Sequence, residues 1–175
     1  MSEIADTHEH LPLRVSAEGT FETFFEAERV RLFQALLLIT RSRSEAEDIS
    51  QEAFLRVWER WDRVRALQDP PGYLHRTAMN AFRDRYRRAR LSLARAVRSL
   101  PSGDEGLAAV EARSVADQVL SSLAPRQRAA LVLTEGLGYS ADEAGRFLGI
   151  KGSTVRALHH QARVALSKRA ETIDE

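Results

Sequence analysis

Residues 140–169 read S-A-D-E-A-G-R-F-L-G-I-K-G-S-T-V-R-A-L-H-H-Q-A-R-V-A-L-S-K-R, and this pattern predicts two helices joined by a short turn. Ser140 followed by Glu143 is a capping box that starts the first helix. Gly149 supplies the left-handed backbone conformation that ends it, and Ser153 is predicted to cap the second helix. The apolar residues of that second helix recur at helical spacing and predict its buried stripe: Val155, Leu158, Ala162, Ala165 and Leu166.

Positive charge accumulates on the second of these helices. Between Lys151 and Arg169 there are five Lys or Arg residues and no Asp or Glu. A helix that presents cations and short side chains suits the major groove of DNA. An ordinary helical hairpin with a solvated basic face has the same pattern, because helix-turn-helix patterns often arise by chance. Both interpretations stay open on this segment alone.

Charge alternates along the chain, although the formal net charge is only +1. Residues 1–62 carry thirteen acids and seven bases, whereas residues 70–100 carry eight arginines and one acid. Residues 101–122 return to four acids and one arginine. This alternation predicts basic surfaces for polyanions and an acidic surface for a different partner.

Composition excludes several classes of protein. A chain of 175 residues with 43% hydrophobic content can form one or two small domains. Cysteine is absent, which excludes disulfides and thiolate metal sites. No apolar run has the length that a bilayer requires, and the N-terminus lacks the basic-then-apolar design of a signal peptide. We therefore expect a soluble, cytoplasmic protein without membrane insertion.

The periodicities predict an all-α fold with two small helical lobes. Residues 1–19 predict a disordered tail, residues 20–100 a first lobe and residues 107–170 a second lobe. Between the lobes, residues 101–106 read P-S-G-D-E-G and predict a flexible linker. In the second lobe, Pro125 is predicted to open a helix from a first-turn position.

A helix over residues 44–61 is predicted to carry one apolar and one polar side. Ser44 and Glu47 form a second capping box at its start, and Phe54 and Trp58 are expected on the core side. Four residues at positions i, i+3, i+4 and i+7 share the other face: Asp48, Gln51, Glu52 and Leu55. Solvation explains this face, and docking onto a basic partner helix explains it equally well.

A long helix from near Gly72 to about Leu91 mixes arginines with aromatic residues. Six arginines lie between Arg76 and Arg90. Arginines bind phosphates bidentately and aromatic rings stack on unpaired bases, so this helix suits single-stranded or melted DNA. The Asn80 amide can read a base edge. The alternative is a helix with an apolar core side and solvated arginines.

Three motifs in a fixed order resemble the extracytoplasmic-function (ECF) sigma factors, the minimal bacterial promoter-recognition subunits of RNA polymerase. D-I-S-Q-E-A-F-L-R-V-W resembles region 2.2, and P-G-Y-L-H-R-T-A-M-N-A-F-R-D-R-Y-R-R resembles regions 2.3 and 2.4. L-A-P-R-Q-R-A-A-L-V-L with the helix-turn-helix resembles region 4. The resemblance implies a non-catalytic factor that binds core RNA polymerase at its clamp helices and flap. One lobe would open the −10 element and the other would bind duplex −35 DNA, and an anti-sigma factor controls many such proteins.

Resemblance and helix geometry together assign residues to these roles. The clamp-binding residues are expected to be Asp48, Gln51, Glu52 and Leu55. The −10 strand is expected to meet Arg76, Asn80, Arg83, Asp84, Arg87 and Arg88. The −35 duplex is expected to meet Ser153, Thr154, Arg156, Ala157, His160, Arg163 and Lys168. Arg156 is the expected base reader, whereas Arg163 and Lys168 are expected to contact phosphates.

Several positions depart from the family pattern. Leu158 and Gln161 stand where basic residues are frequent, and His159 stands where an apolar residue is frequent. Ala144 and Gly145 replace the usual Ile-Ala pair. The −35 helix is therefore less basic than is typical, so its sequence preference does not follow from the resemblance. His159, at the edge of the apolar stripe, is expected to be part-buried structure and no base reader.

Two other classes of function compete with this interpretation. A homodimeric helix-turn-helix regulator would bind palindromic sites, but it leaves the clamp-like motif unexplained. For an enzyme, the sequence offers no glycine-rich phosphate loop, no metal-binding histidine pair and no nucleophile with a base. His75 stands alone in the sequence, and His159 and His160 point to different sides of one helix. No catalytic residue, cofactor or metal is predicted.

Overall fold

The computed structural model describes residues 19–96 and 120–173, and within these ranges every regular element is helical. The first lobe contains α1 (Phe21–Thr40), α2 (Arg43–Trp58), α3 (Trp61–Val64) and α4 (Pro70–Ala96). The second lobe contains α5 (Pro125–Leu131), a π-helical turn (Val132–Gly136), α6 (Ala141–Leu148) and α7 (Gly152–Ile173). The all-α, two-lobe prediction is confirmed. The predicted tail up to residue 18 and the predicted linker 101–106 lie outside the described residues.

Local capping sets most helix boundaries. Ser140 and Glu143 form the predicted capping box, with the Glu143 N–H donating to the Ser140 hydroxyl across 3.3 Å. Gly149 ends α6 in the predicted left-handed conformation at φ 65°. Pro125 occupies the first turn of α5, also as predicted.

Two predicted caps are wrong. Helix α2 begins one residue before Ser44, because Ser42 has extended backbone and its hydroxyl accepts from the Glu45 N–H at 3.3 Å. Ser153 lies inside α7, which starts at Gly152. Both errors come from choosing among neighbouring serines and glycines, which local pattern alone does not separate.

The core of the first lobe is an aromatic cluster between α1, α2 and α3. The Phe25 and Phe54 rings meet edge to face at 4.8 Å, and the Phe24 and Trp61 rings lie 5.1 Å apart. Trp58 is not part of this cluster: it is 58% exposed, whereas Phe54 is 5% exposed. The prediction that Trp58 faces the core is therefore wrong, because Trp61 occupies the aromatic position that the pattern suggested for it.

The second lobe buries the predicted apolar stripe of α7. Val155 and Ala162 are fully buried, and Leu158, Ala165 and Leu166 are partly buried. Val155 belongs to the core that also contains Phe147 and Leu148 of α6. This packing turns the opposite side of α7 outward.

The two lobes pack against each other. Helix α1 contacts α5 and the π-helical turn, and α4 contacts α6. Arg128 of α5 is buried, and its Nε donates to the backbone carbonyl of Ile39 across 2.8 Å. The sequence predicted two lobes but not this contact between them.

We predict that Phe54→Ala and Trp58→Ala differ sharply in stability. Phe54 fills the aromatic cluster, so its loss should lower the free energy of unfolding by about 3–5 kcal/mol. Trp58 is largely solvent-exposed, so its loss should cost less than about 1 kcal/mol. Denaturant unfolding measured by circular dichroism tests both. Equal losses would contradict the placement of Trp58.

Candidate nucleic-acid and polymerase interfaces

The predicted polar face of α2 is present but partly engaged. Asp48, Gln51 and Leu55 are exposed and Glu52 is half-buried. Arg85 of α4 bridges two of these residues, with 3.1 Å to an Asp48 carboxylate oxygen and 3.5 Å to a Glu52 carboxylate oxygen. Arg56 also binds Glu52 at 2.6 Å. The acidic face therefore joins α2 to α4 as well as facing outward.

Beside this face lies an apolar groove between α1 and α2. Its floor combines Phe21, Phe25 and Phe54, and its α2 rim is formed by Leu55 and Trp58. Leu55 is 54% exposed, and Gln51 lines the same groove. Contiguous exposed apolar residues of this kind mark protein-binding surfaces. The exposure of Trp58 extends the predicted face by one helical turn, a feature that sequence reasoning missed.

Helix α4 presents the predicted basic face. All six candidate residues of the −10 site are exposed: Arg76, Asn80, Arg83, Asp84, Arg87 and Arg88. They interact along the helix, because Arg83 Nη1 donates to the Asn80 carbonyl oxygen at 3.2 Å and Arg87 pairs with Asp84 at 3.3 Å. The exposed Arg87–Asp84 ion pair is weak, so a phosphate can displace it.

Aromatic residues back this basic face. The Tyr86 ring stacks on Phe82 with a centroid distance of 6.2 Å and an interplanar angle of 22°. Phe82 is buried and Tyr86 is half-buried, so one ring anchors the other at the surface. This arrangement offers a stacking platform next to phosphate-binding arginines.

The predicted −35 face of α7 is exposed throughout. This holds for Ser153, Thr154, Arg156, Ala157, His160, Arg163 and Lys168. His159 is partly buried, and its Nε2 lies 2.7 Å from a carboxylate oxygen of Glu135. That placement agrees with the structural role predicted for His159.

A carboxylate from α6 lies over the start of α7. Arg156 Nη1 is 3.7 Å from an Asp142 carboxylate oxygen. The same oxygen lies 1.7 Å from where a Cβ on Gly152 would be, so a side chain at residue 152 would displace the Asp142 carboxylate. Asp142 thus contacts the expected base reader directly.

A buried polar group joins three segments at the lobe boundary. His75 of α4 is 1% exposed, and its Nδ1 hydrogen-bonds to the hydroxyl of Tyr139, the residue before the cap of α6. His75 Nε2 lies 4.0 Å from the Glu28 carboxylate, and neither of these two atoms has a hydrogen-bond partner. The sequence suggested that His75 has no polar partner. The structure shows that it contacts Tyr139 and lies near Glu28.

Burial shifts the pKa values of His75, Glu28 and Tyr139. Burial and then the Arg31 guanidinium lower the pKa of His75 from 6.5 to about 4, so the imidazole is neutral at pH 7. Burial raises the pKa of Glu28. It also raises the pKa of Tyr139, which keeps the hydroxyl protonated as a hydrogen-bond donor.

A groove of about 440 Å³ runs between the lobes. Arg83 and Arg87 of α4 line one wall, and Arg126 of α5 lines the other with Leu148 and Ile150. The groove thus combines arginines from both lobes with apolar side chains.

The described residues contain no group of three or more His, Cys, Asp or Glu side chains that could hold a metal ion. Within the same residues, no helix is both long and apolar enough to cross a membrane.

Comparison with known proteins gives the family. The profile of sigma-70 region 2 matches residues 24–92, and the profile of sigma-70 region 4 matches residues 113–166. The chain belongs to the ECF sigma factor family. An ECF RNA polymerase sigma factor, SigM of Mycobacterium tuberculosis, is 28% identical over 148 residues, which cover 85% of this chain and 76% of SigM. An RNA polymerase sigma-E factor of Streptomyces avermitilis is 28% identical over 156 residues, covering 88% of this chain and 87% of the relative.

Solved structures agree on the fold. The sigma factor RpoE, crystallised with the anti-sigma factor NepR from Bartonella quintana, has a TM-score of 0.68 at 18% identity, covering 86% of this chain and 96% of RpoE. CnrH in complex with the cytosolic domain of CnrY has a TM-score of 0.58 at 26% identity, covering 90% of this chain and 93% of CnrH. The family resemblance drawn from the three sequence motifs is confirmed.

We predict that Gly145→Ala destabilises the second lobe. A Cβ at Gly145 would lie 2.7 Å from the Ile150 carbonyl oxygen, so the backbone of the turn must move. Despite the gain of about 1 kcal/mol in helix propensity, overpacking should give a net loss of about 1 kcal/mol or more. Thermal unfolding of the full chain measures this loss.

The matched control is Gly136→Ala, because a Cβ there meets only Val132 Cγ1 at an ordinary 3.7 Å. It should leave the unfolding temperature unchanged or raise it slightly. A Gly145→Ala variant as stable as this control would contradict the close approach of the turn.

Proposed function

We propose that this protein is a sigma subunit that binds core RNA polymerase, recognises −35 and −10 promoter elements and directs promoter opening. The observation that carries the proposal is the placement of two exposed arginine-bearing helices, α4 and α7, in separate sigma-70 regions of one chain. Opening a duplex unstacks bases at a cost of a few kcal/mol per base, which stacking and pocket contacts recover. Tyr86 and its neighbouring arginines supply both kinds of contact.

Each surface has its own role in this proposal. The face of α2 that includes Gln51, Leu55 and Trp58 docks on the polymerase clamp, with the apolar groove beside it. Helix α4 holds the melted −10 strand, and α7 reads the −35 duplex. Reaction chemistry belongs to the polymerase, so the sigma subunit itself is no enzyme and needs no cofactor. It acts in the cytoplasm, where core polymerase is found.

An anti-sigma factor is a further proposed partner. Two structural relatives, RpoE and CnrH, were solved with NepR and CnrY, respectively. In this chain, the groove between the lobes pairs the cations Arg83, Arg87 and Arg126 with the apolar Leu148 and Ile150. An amphipathic helix with acidic residues along its edge has the complementary chemistry.

Run-off transcription with core RNA polymerase tests the proposed function. The purified protein should direct initiation from specific start sites that core polymerase alone does not use. Duplex promoter binding should be strong only in the presence of core polymerase. Tight binding of a palindromic duplex by the protein alone, without stimulation of transcription, would favour the homodimeric regulator.

We predict that Gln51→Ala and Trp58→Ala weaken core polymerase binding without unfolding the protein. Gln51 and Trp58 lie on the outer side of α2, and truncating an exposed aromatic anchor at an interface typically costs about 2 kcal/mol or more. Titration of labelled protein with core polymerase measures the affinity. The control is Arg65→Ala, an exposed residue of the same lobe that pairs only with Asp62 at 3.3 Å among the contacts described. Equal affinity of all three variants would exclude this face.

We predict that Asn80→Ala impairs strand opening more than duplex binding. The Asn80 amide lies on the exposed face of α4, apart from the −35 helix. Permanganate reactivity of the −10 region should fall, while −35 duplex binding persists. A promoter with a pre-melted bubble should largely restore activity. An equal defect on duplex and bubble templates would argue against a role in opening.

We predict that Arg156→Ala relaxes the preference at one base pair of the −35 element. A bidentate arginine–guanine contact is worth about 1–3 kcal/mol of discrimination. Arg163→Ala should instead weaken all sequences similarly and reduce the salt slope by about one unit. Binding-site selection with core polymerase compares the two. A changed preference in His159→Ala, with none in Arg156→Ala, would overturn the orientation of α7.

A further inference from the structure

We infer that the two lobes of this protein hold each other in a closed, autoinhibited state, and that a polar latch between them must release before the −10 element is bound. The inference rests on the proposed function for its consequence, but closure itself is a property of the free chain and needs no second protein.

Three polar contacts form the latch, which we define as Arg128–Ile39, Arg31–Leu137 and Tyr139–His75. Arg128 of the second lobe donates to the Ile39 carbonyl of α1 at 2.8 Å. Arg31 of the first lobe donates in return to the Leu137 carbonyl at 3.1 Å. The Tyr139 hydroxyl bonds to the buried His75 imidazole. Arginines thus cross the boundary in both directions, which fixes the register of one lobe on the other.

In the closed state the second lobe lies directly beside the predicted −10 surface, although the candidate side chains stay exposed. The backbone of Gly149 in the helix-turn-helix approaches the Arg83 guanidinium so closely that a Cβ would lie 2.7 Å from it. Leu148 and Ile150 of the same turn face Arg87 across the groove between the lobes. A DNA strand that runs along α4 would occupy the space of this turn. Binding it therefore requires the second lobe to move.

Two buried polar atoms beside the latch oppose the closed state. Glu28 Oε2 and His75 Nε2 are buried without hydrogen-bond partners, 4.0 Å from each other. Buried polar atoms that lose water without gaining a partner oppose the burial. Separation of Tyr139 from His75 opens a path for water to these atoms. The closed state is therefore held by the latch and by an apolar core that both lobes share, against the opposing cost of these two polar atoms.

The absence of cysteine makes closure directly measurable. Ala66→Cys in the first lobe and Ala124→Cys in the second introduce spin-label sites at exposed positions outside the residues assigned to polymerase and DNA. Pulsed dipolar spectroscopy on the full chain should give predominantly one short distance. In the latch variant Arg31→Met/Tyr139→Phe, the open-to-closed ratio should rise about tenfold or more, because a hydrogen bond to a charged group and a buried one are lost.

Arg31 is exposed and Tyr139→Phe keeps the ring contact with Phe147, so this variant should remain folded. The matched control is Arg146→Met, since Arg146 is exposed on α6 and pairs within its own lobe with Glu143 at 4.0 Å. Arg128→Met provides an independent latch variant, with circular dichroism reporting whether the second lobe stays folded.

Open-complex formation with core polymerase at limiting sigma concentration gives the functional readout. The latch variant should form open complexes more readily than the wild type, and Arg146→Met should match the wild type. An unchanged distance distribution in the folded latch variants would overturn the latch. Longer distances without a gain in open complex would overturn autoinhibition. If even wild-type protein directs no transcription, the proposed function fails, while the distance measurement still decides closure.

Discussion

Helix α4 divides its surface between a buried apolar stripe and a row of arginines, and both lobes are arranged around that division. Leu74 and Ala78 are fully buried against the first lobe, whereas Arg76 and Asn80, two residues further along in each case, are exposed. Arg85 lies on another side of α4, where it binds the carboxylates of Asp48 and Glu52 on α2. One helix therefore supports the core, ties down the docking helix and presents cations to DNA.

Features that depend on near neighbours in sequence could be predicted. The Ser140–Glu143 capping box and the left-handed Gly149 each need only a few residues of context, and the structure has both. The stripe of α7 was equally clear, because its periodicity extends over several turns. Exposed faces followed from the buried ones, so the predicted site residues of α4 and α7 are indeed at the surface.

Features that depend on tertiary competition could not be predicted. Trp58 and Trp61 both fit an aromatic core position, and tertiary packing against Phe21 and Phe24 selects Trp61. The pairing of His75 with Tyr139 joins residues 64 positions apart, and nothing in the local pattern of either residue indicates the other. The contact between the lobes is of the same kind, because a carbonyl acceptor such as that of Ile39 has no signature in the sequence.

The bridge from Arg85 to Asp48 and Glu52 bears on how quickly polymerase and sigma subunit would meet. A carboxylate that already has a guanidinium beside it projects less field into solution than a bare one. Long-range attraction would therefore contribute less to the encounter rate than the number of acids on α2 suggests. The association rate would therefore vary little with ionic strength. The short-range fit around Leu55 and Trp58 would determine the lifetime of the complex.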